Sequence, residues 1–182
     1  MSAFLLACGR LVALCVALLA LPATATAANS AVYDDRVNDA VYPGVDIKRI
    51  ALAYTDDGLV GIGVSTNVLI GGNRLAVYID SDLNDATGFN GADYALFYER
   101  YINGQSLGYW VWNGSAWQMG APATLAYEAG DYGVNMVIHS SELGSPAAGI
   151  DVFARGGHAN PLGVGTDYWD TAPNVGQWLS YA

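Results

Sequence analysis

From Ile47 to Tyr181 the chain is written in short runs with a period of two, each closed by turn residues, and this pattern limits the fold more than any other feature. Alternation of this kind belongs to strands that bury one face. It is clearest in Ile47–Tyr54 (IKRIALAY), Leu59–Ser65 (LVGIGVS), Arg74–Ile79 (RLAVYI), Tyr94–Tyr101 (YALFYERY) and Gly108–Trp112 (GYWVW). Asp56-Asp57-Gly58 and Asn113-Gly114 are hairpin turn signals, because those residues tolerate positive φ. Further strands are expected at Ala116–Met119, Leu125–Glu128, Gly133–His139, Gly149–Arg155 and Gln177–Tyr181. Ser140–Gly144 reads as a single helical turn begun by a serine cap, and Gly156–Thr171 as a glycine-rich loop. No stretch beyond the N-terminal segment carries a convincing helical period. Nine or ten strands with turn signals about every 8–12 residues predict one all-β, antiparallel sandwich or barrel.

The N-terminus follows different rules. Leu11–Leu21 is a run of eleven apolar residues, preceded by Arg10, ended by Pro22 and followed by the small-residue stretch Ala23–Ala27. That order is the pattern of a secretory signal, with cleavage expected after Ala27. The run is shorter than the roughly 20 residues of a transmembrane helix. An uncleaved anchor starting near Ala3 is the alternative. The expected organisation is therefore a signal peptide over 1–27, an irregular arm over 28–45 and the sandwich over 46–182. Cys8 and Cys15, the only cysteines, both fall in the leader. A secreted domain left without cysteines must be held by its own core or by a metal. The expected location is outside the cytoplasm, secreted or periplasmic.

Charge narrows the partners. Seventeen acidic residues stand against seven basic ones, and removal of Arg10 with the leader increases the excess. Such a surface repels phosphate backbones and anionic lipid, so nucleic acid and, after cleavage, a membrane face are not expected partners. It favours cations. Asp80-Ser81-Asp82-Leu83-Asn84-Asp85-Ala86-Thr87-Gly88 is the sharpest candidate. Asp80, Asp82 and Asn84 alternate along it, so a curled loop can aim their oxygens at one centre. The Ala86 carbonyl and Asp93 can complete a shell of hard oxygen ligands of the sort Ca²⁺ takes. Because no nucleophile or base adjoins the loop in sequence, the role expected of such a calcium is structural. The spacing is not that of the helix-flanked calcium hand. The competing reading is a solvated turn in which Asp and Asn side chains cap backbone amides.

Aromatic residues supply the other candidate. The chain has five tryptophans and twelve tyrosines. Trp110 and Trp112 share one face of a strand, with Trp117 across the hairpin, and Trp169 lies in a polar stretch between Asp167 and Asp170. An exposed indole packs well against the C–H face of a sugar, and Trp110, Trp112 and Trp169 are the candidate ligand contacts. Sandwich cores use the same residue types. Trp178 is expected to close the core. No nucleophile elbow, phosphate loop or dinucleotide fingerprint occurs, and His139 and His158 have no metal-ligand spacing. The chain is read as non-catalytic. The alternatives are a structural or protein-interaction module without a small-molecule ligand, and an unrecognised hydrolase.

Several segments together carry a resemblance. Asp39…Asp46-Ile47, the Asp-Asp-Gly hairpin, the loop from Ile79 through Gly88 to Gly91-Ala92-Asp93-Tyr94, the Trp112-Asn113-Gly114-Ser115-Ala116-Trp117 turn and the closing Asp170-Thr171-Ala172-Pro173-Asn174-Val175-Gly176-Gln177-Trp178 follow in that order. Over roughly Val37 to Tyr181 the chain resembles secreted bacterial β-sandwich domains of the family 9 carbohydrate-binding modules and the related DOMON-like domains. The resemblance implies a jelly-roll-like sandwich, no catalysis and, in some members, calcium and sugar. It does not hand over a sugar site.

Overall fold

The computed structural model describes residues 30–40, 45–68, 71–146, 148–159, 166–174 and 176–181, with the backbone alone at 159 and 166–169. The expected signal segment lies outside them. Twelve strands form two sheets in which every pair is antiparallel. In chain order they are β1 Ser30–Asp34, β2 Ile47–Tyr54, β3 Leu59–Thr66, β4 Asn73–Asp80, β5 Tyr94–Tyr101, β6 Gly104–Trp112, β7 Trp117–Met119, β8 Ala126–Gly130, β9 Gly133–His139, β10 Ile150–Ala159, β11 Thr166–Ala172 and β12 Leu179–Tyr181. One sheet has the order β1-β2-β3-β9-β8 and the other β11-β10-β4-β5-β6-β7. The edge of β10 is shared, with Ala154–Ala159 pairing to β11 and Ile150–Val152 to β12.

The sandwich forms because alternate residues of both sheets point into one core. Leu75, Val77 and Ile79 of β4 and Leu96 and Tyr98 of β5 meet Ile50 and Leu52 of β2, Val60, Ile62 and Val64 of β3 and Met136 and Ile138 of β9. These side chains are almost wholly removed from water. Each buried aliphatic side chain contributes about 1.5–3 kcal/mol of transfer free energy, which lets the domain stand without a disulfide. β2 breaks strict alternation, since Ile47, Ile50 and Leu52 are all in the core. A register shift between Ile47 and Arg49 supplies the extra residue, as a β-bulge does.

Two strands exceed the nine or ten expected, and both lie where irregular chain was anticipated. Ser30–Asp34 within the arm pairs with β2 along its whole length. The stretch read as a glycine-rich loop instead holds the end of β10 and β11 up to Thr171, so Gly156 and Gly157 are strand residues. Gly156 belongs there because its missing side chain admits the Val45 carbonyl, which would stand 2.4 Å from a Cβ. Ser140–Leu143 is a 3-10 turn, but its cap is His139, not a serine. His139 Nε2 lies 3.0 Å from the Asp57 carbonyl, which can only accept, so Nδ1 is left as acceptor for the Ser141 amide at 3.2 Å. No described helix is long and apolar enough to cross a membrane.

Candidate functional site

The loop between β4 and β5 is built outward from two strand ends. Asp80 closes β4 on the face opposite the core, next to Tyr78 by alternation, and is fully buried. Asp93 sits just before β5. Its amide donates to the Ile79 carbonyl at 2.9 Å and its carbonyl accepts from the Trp112 amide at 2.8 Å, so three strands fix its position. Asp93 Oδ2 accepts from the amide and the hydroxyl of Ser81, both at 3.0 Å. Asp82 Oδ1 accepts from the Asn84 amide at 3.0 Å, and its carboxylate takes the Thr87 hydroxyl at 3.1 and 3.0 Å. One carboxylate oxygen from each of Asp80, Asp82 and Asp93 lies within 4.8 Å of the others.

Asp80 is the telling member. Its Oδ1 accepts from the amides of Asp82 at 3.2 Å and Asn84 at 3.4 Å. Its Oδ2 is buried and has no donor. An unpaired buried carboxylate oxygen is costly. Burial, aided by the charge of Asp93, pushes the Asp80 carboxyl up to about 6. A cation at the centre would satisfy the orphan oxygen and offset the mutual repulsion of three carboxylates. Oxygen-only, carboxylate-rich donors suit a hard ion such as Ca²⁺.

Asn84 and Ala86 lie in the same loop, in turn contacts. Asn84 Oδ1 accepts from the Ala86 amide at 3.2 Å, and the Asn84 carbonyl accepts from Thr87 N at 2.9 Å. Features of both sequence readings thus coexist, with side chains capping amides around a cluster that could hold a metal.

A second acidic cluster, missed in the sequence, joins Asp35, Asp39 and Asp170, again with carboxylate oxygens within 4.8 Å. Asp170 Oδ2 accepts from the buried Ile47 amide at 2.5 Å and Oδ1 from the Thr171 amide at 2.8 Å. Burial raises the Asp170 carboxyl to about 6 despite those two donors. Asp35 is raised as well, mainly by burial, and its Oδ2 lacks a donor. Neighbouring Asp46, also buried, is fully used. It accepts from the Asn38 amide at 2.9 and 3.0 Å and from the Asn67 side-chain amide. No local spacing marks the Asp35 cluster, because the fold gathers it from the ends of β1 and β11.

The aromatic residues form a layer on the outer face of the seven-stranded sheet. Tyr78, Phe153, Ala76, Ala92 and Ala95 are buried there, with Phe89, Phe97, Trp110, Trp117 and Trp178 packed over them. Trp110 and Trp112 share that face as expected, both half-buried. Both pack within the layer. Trp110 lies 5.9 Å from Phe97 and Trp112 5.4 Å from Trp117, centroid to centroid. Trp169 is in β11 and its side chain lies outside the described residues. Trp178 closes this outer layer instead of the inter-sheet core, its ring edge-on to Phe153 at 4.7 Å.

The loop between β4 and β5 and the aromatic layer are in contact. Phe89, in the loop, lies 5.4 Å from Trp112 and 5.8 Å from Trp117. Gly91 has φ of 94°, and a Cβ there would stand 2.8 Å from Trp178 Cζ2. Beside this junction opens a cleft of about 270 Å³, lined by Asn90, Phe153, Arg155, Thr171, Gln177 and Trp178 together with Gly176. Comparison with protein-family models, curated proteins and solved structures finds no match. What stands is a two-sheet β-sandwich with acidic clusters that could hold metal.

Proposed function

We propose that this chain is a secreted, non-catalytic binding module in which Ca²⁺ at Asp80, Asp82 and Asp93 stabilises the loop between β4 and β5, and the aromatic outer face of the seven-stranded sheet receives carbohydrate. The observation that carries the metal reading is the buried Asp80 Oδ2, without a donor, beside two more carboxylates. The ligand reading rests on half-buried indoles that meet the metal loop at Phe89 and Gly91. Aromatic faces bordered by amides are the chemistry that recognises a sugar's C–H face and hydroxyls. The signal-like N-terminus and the resemblance to carbohydrate-binding modules point the same way.

A thermal melt tests the metal reading. At a hundredfold excess over Kd, a bound ion contributes about 2.7 kcal/mol, which raises the midpoint of a domain this size by roughly 5–10 °C. An equal midpoint in Ca²⁺ and in chelator contradicts it. A polysaccharide pull-down with no retained protein contradicts the carbohydrate reading.

A protein-interaction module is the second reading. It is favoured by a groove of about 700 Å³ on the five-stranded sheet, where Lys48, Arg49, Glu128, Asp131 and an exposed Tyr132 offer mixed charge around an aromatic ring.

A further inference from the structure

We infer that the groove on the five-stranded sheet receives a second copy of this chain, the two domains meeting face to face through it. This inference rests on the protein-interaction reading above and commits it to one partner. The groove follows from the residues that cross the sheet. Register puts Arg49 of β2, Ser65 of β3, Gly133 of β9 and Gly130 of β8 on one line. The last three bring at most a hydroxymethyl group to the surface, so the face is low between β2 and β8. At Gly133 a Cβ would stand 2.2 Å from the Val64 carbonyl oxygen, so no side chain can fill the floor there. The result is an open trough of about 700 Å³, with Tyr132 standing exposed beside it.

Charge selects the occupant. One wall, from β1 and β2, carries Asp34, Lys48 and Arg49 and is net positive. Arg49 is paired to Asp34 within that wall. The other wall, from β8 and the turn after it, carries Glu128 and Asp131. Arg100 reaches Asp131 at 2.8 Å and leaves that wall net negative. The six charges cancel. They take up three of the chain's seven basic residues and only three of its seventeen acidic ones, so the remaining surface is strongly acidic. A chain this acidic repels its own copies. In the groove that repulsion vanishes, and each wall attracts the opposite wall of another copy.

The sheet's layout permits the pairing. A two-fold axis parallel to the strands, above the line between β3 and β9, turns β2 of one copy over β8 of the other. Those strands are three spacings apart, about 14 Å, and Arg49 and Gly130 already share one cross-sheet line. Lys48 and Arg49 of each copy then meet Glu128 and Asp131 of the other, twice per dimer, as a self-complementary interface requires. The same rotation carries each Tyr132 toward the opposite basic wall, where its ring face attracts a cation. The aromatic outer face of the seven-stranded sheet lies on the far side of each domain and stays open.

Sedimentation equilibrium of the purified protein tests this, with a photo-crosslinking residue at position 132 in the producing cells as a second readout. The expected result is a reversible monomer–dimer equilibrium. Arg49→Glu and Glu128→Arg should each weaken it about tenfold or more. The two together should restore it to within about threefold of wild type, because the walls then exchange sign. Both side chains are exposed, so thermal midpoints stay near wild type and lost pairing is not lost fold. A dimer that neither single reversal weakens overturns the groove as its seam. Single reversals that weaken the dimer without rescue by the pair overturn the opposition of the two walls. A monomer at every concentration overturns the second copy as occupant. If position 132 then crosslinks a different protein, the interaction-module reading stands; if it crosslinks nothing, that reading falls as well.

Discussion

The two aspartate triads are alike in composition and opposite in construction. Asp80, Asp82 and Asp93 come from one loop and the two strand ends it joins, whereas Asp35, Asp39 and Asp170 are gathered from chain ends far apart in sequence. In the first, the most buried member keeps an oxygen without a donor. In the second, both oxygens of Asp170 are taken by backbone amides, one of them at the start of β2 in the other sheet. Asp170 is thus a strut between sheets, while Asp80 has a coordination position to give. Three clustered carboxylates do not by themselves define a cation site. What distinguishes the two is which member lacks a donor, fully buried Asp80 in the first and half-buried Asp35 in the second, whose Oδ2 is also unpaired.

Substitutions should separate the triads. The largest effect is expected from Asp170→Ala, which strands the buried Ile47 amide and the Thr171 amide. The loss is about 3 kcal/mol, a fall in midpoint of roughly 6–12 °C that is equal in Ca²⁺ and in chelator. A calorimetric scan in each buffer checks it. Next is Asp80→Asn, whose amide oxygen can still accept from Asp82 and Asn84. In Ca²⁺ it should lose the ion's stabilisation of about 2.7 kcal/mol. In chelator its midpoint should match or exceed wild type, because a buried charge has been removed.

The pH dependence sharpens the same contrast. Folded Asp80 and Asp170 titrate at about 6, above the usual carboxylate value of about 3.9. Between those values the folded state holds protons that the unfolded chain has released. In chelator, stability is therefore greatest at the acid end and declines as pH rises from about 4 to about 6. Calcium requires ionised Asp80, so the gap between midpoints in Ca²⁺ and in chelator should widen over the same interval. Asp170→Asn keeps the widening and Asp80→Asn abolishes it. The smallest effect is expected from Asn84→Ala, which removes the Asx turn onto Ala86 at a cost of about 1 kcal/mol, read as a shift in the urea midpoint.

Much of the fold was legible because period-two alternation survives wherever one strand face meets the core, as in Leu75, Val77 and Ile79. β1 and β11 were not, for different reasons. Ser30–Asp34 is a short edge strand whose pairing to β2 depends on a distant partner, and β11 hides beside glycines, of which Gly156 packs against Val45. Asp80, Asp82 and Asp93 were legible since loop spacing brings them together. Asp35 and Asp170 were not, because their meeting is made by the sheets. The shared face of Trp110 and Trp112 was legible from alternation, whereas the packing of loop residue Phe89 on Trp112 and Trp117 was not, because only folding brings it over them.

The most direct test is isothermal titration of Ca²⁺ into wild type, Asp80→Asn and Asp170→Asn at pH 7.5. One site in wild type, the same site in Asp170→Asn and none in Asp80→Asn is the predicted result. Wild-type protein that takes up no calcium, or an Asp80→Asn variant that binds it as wild type does, contradicts the account.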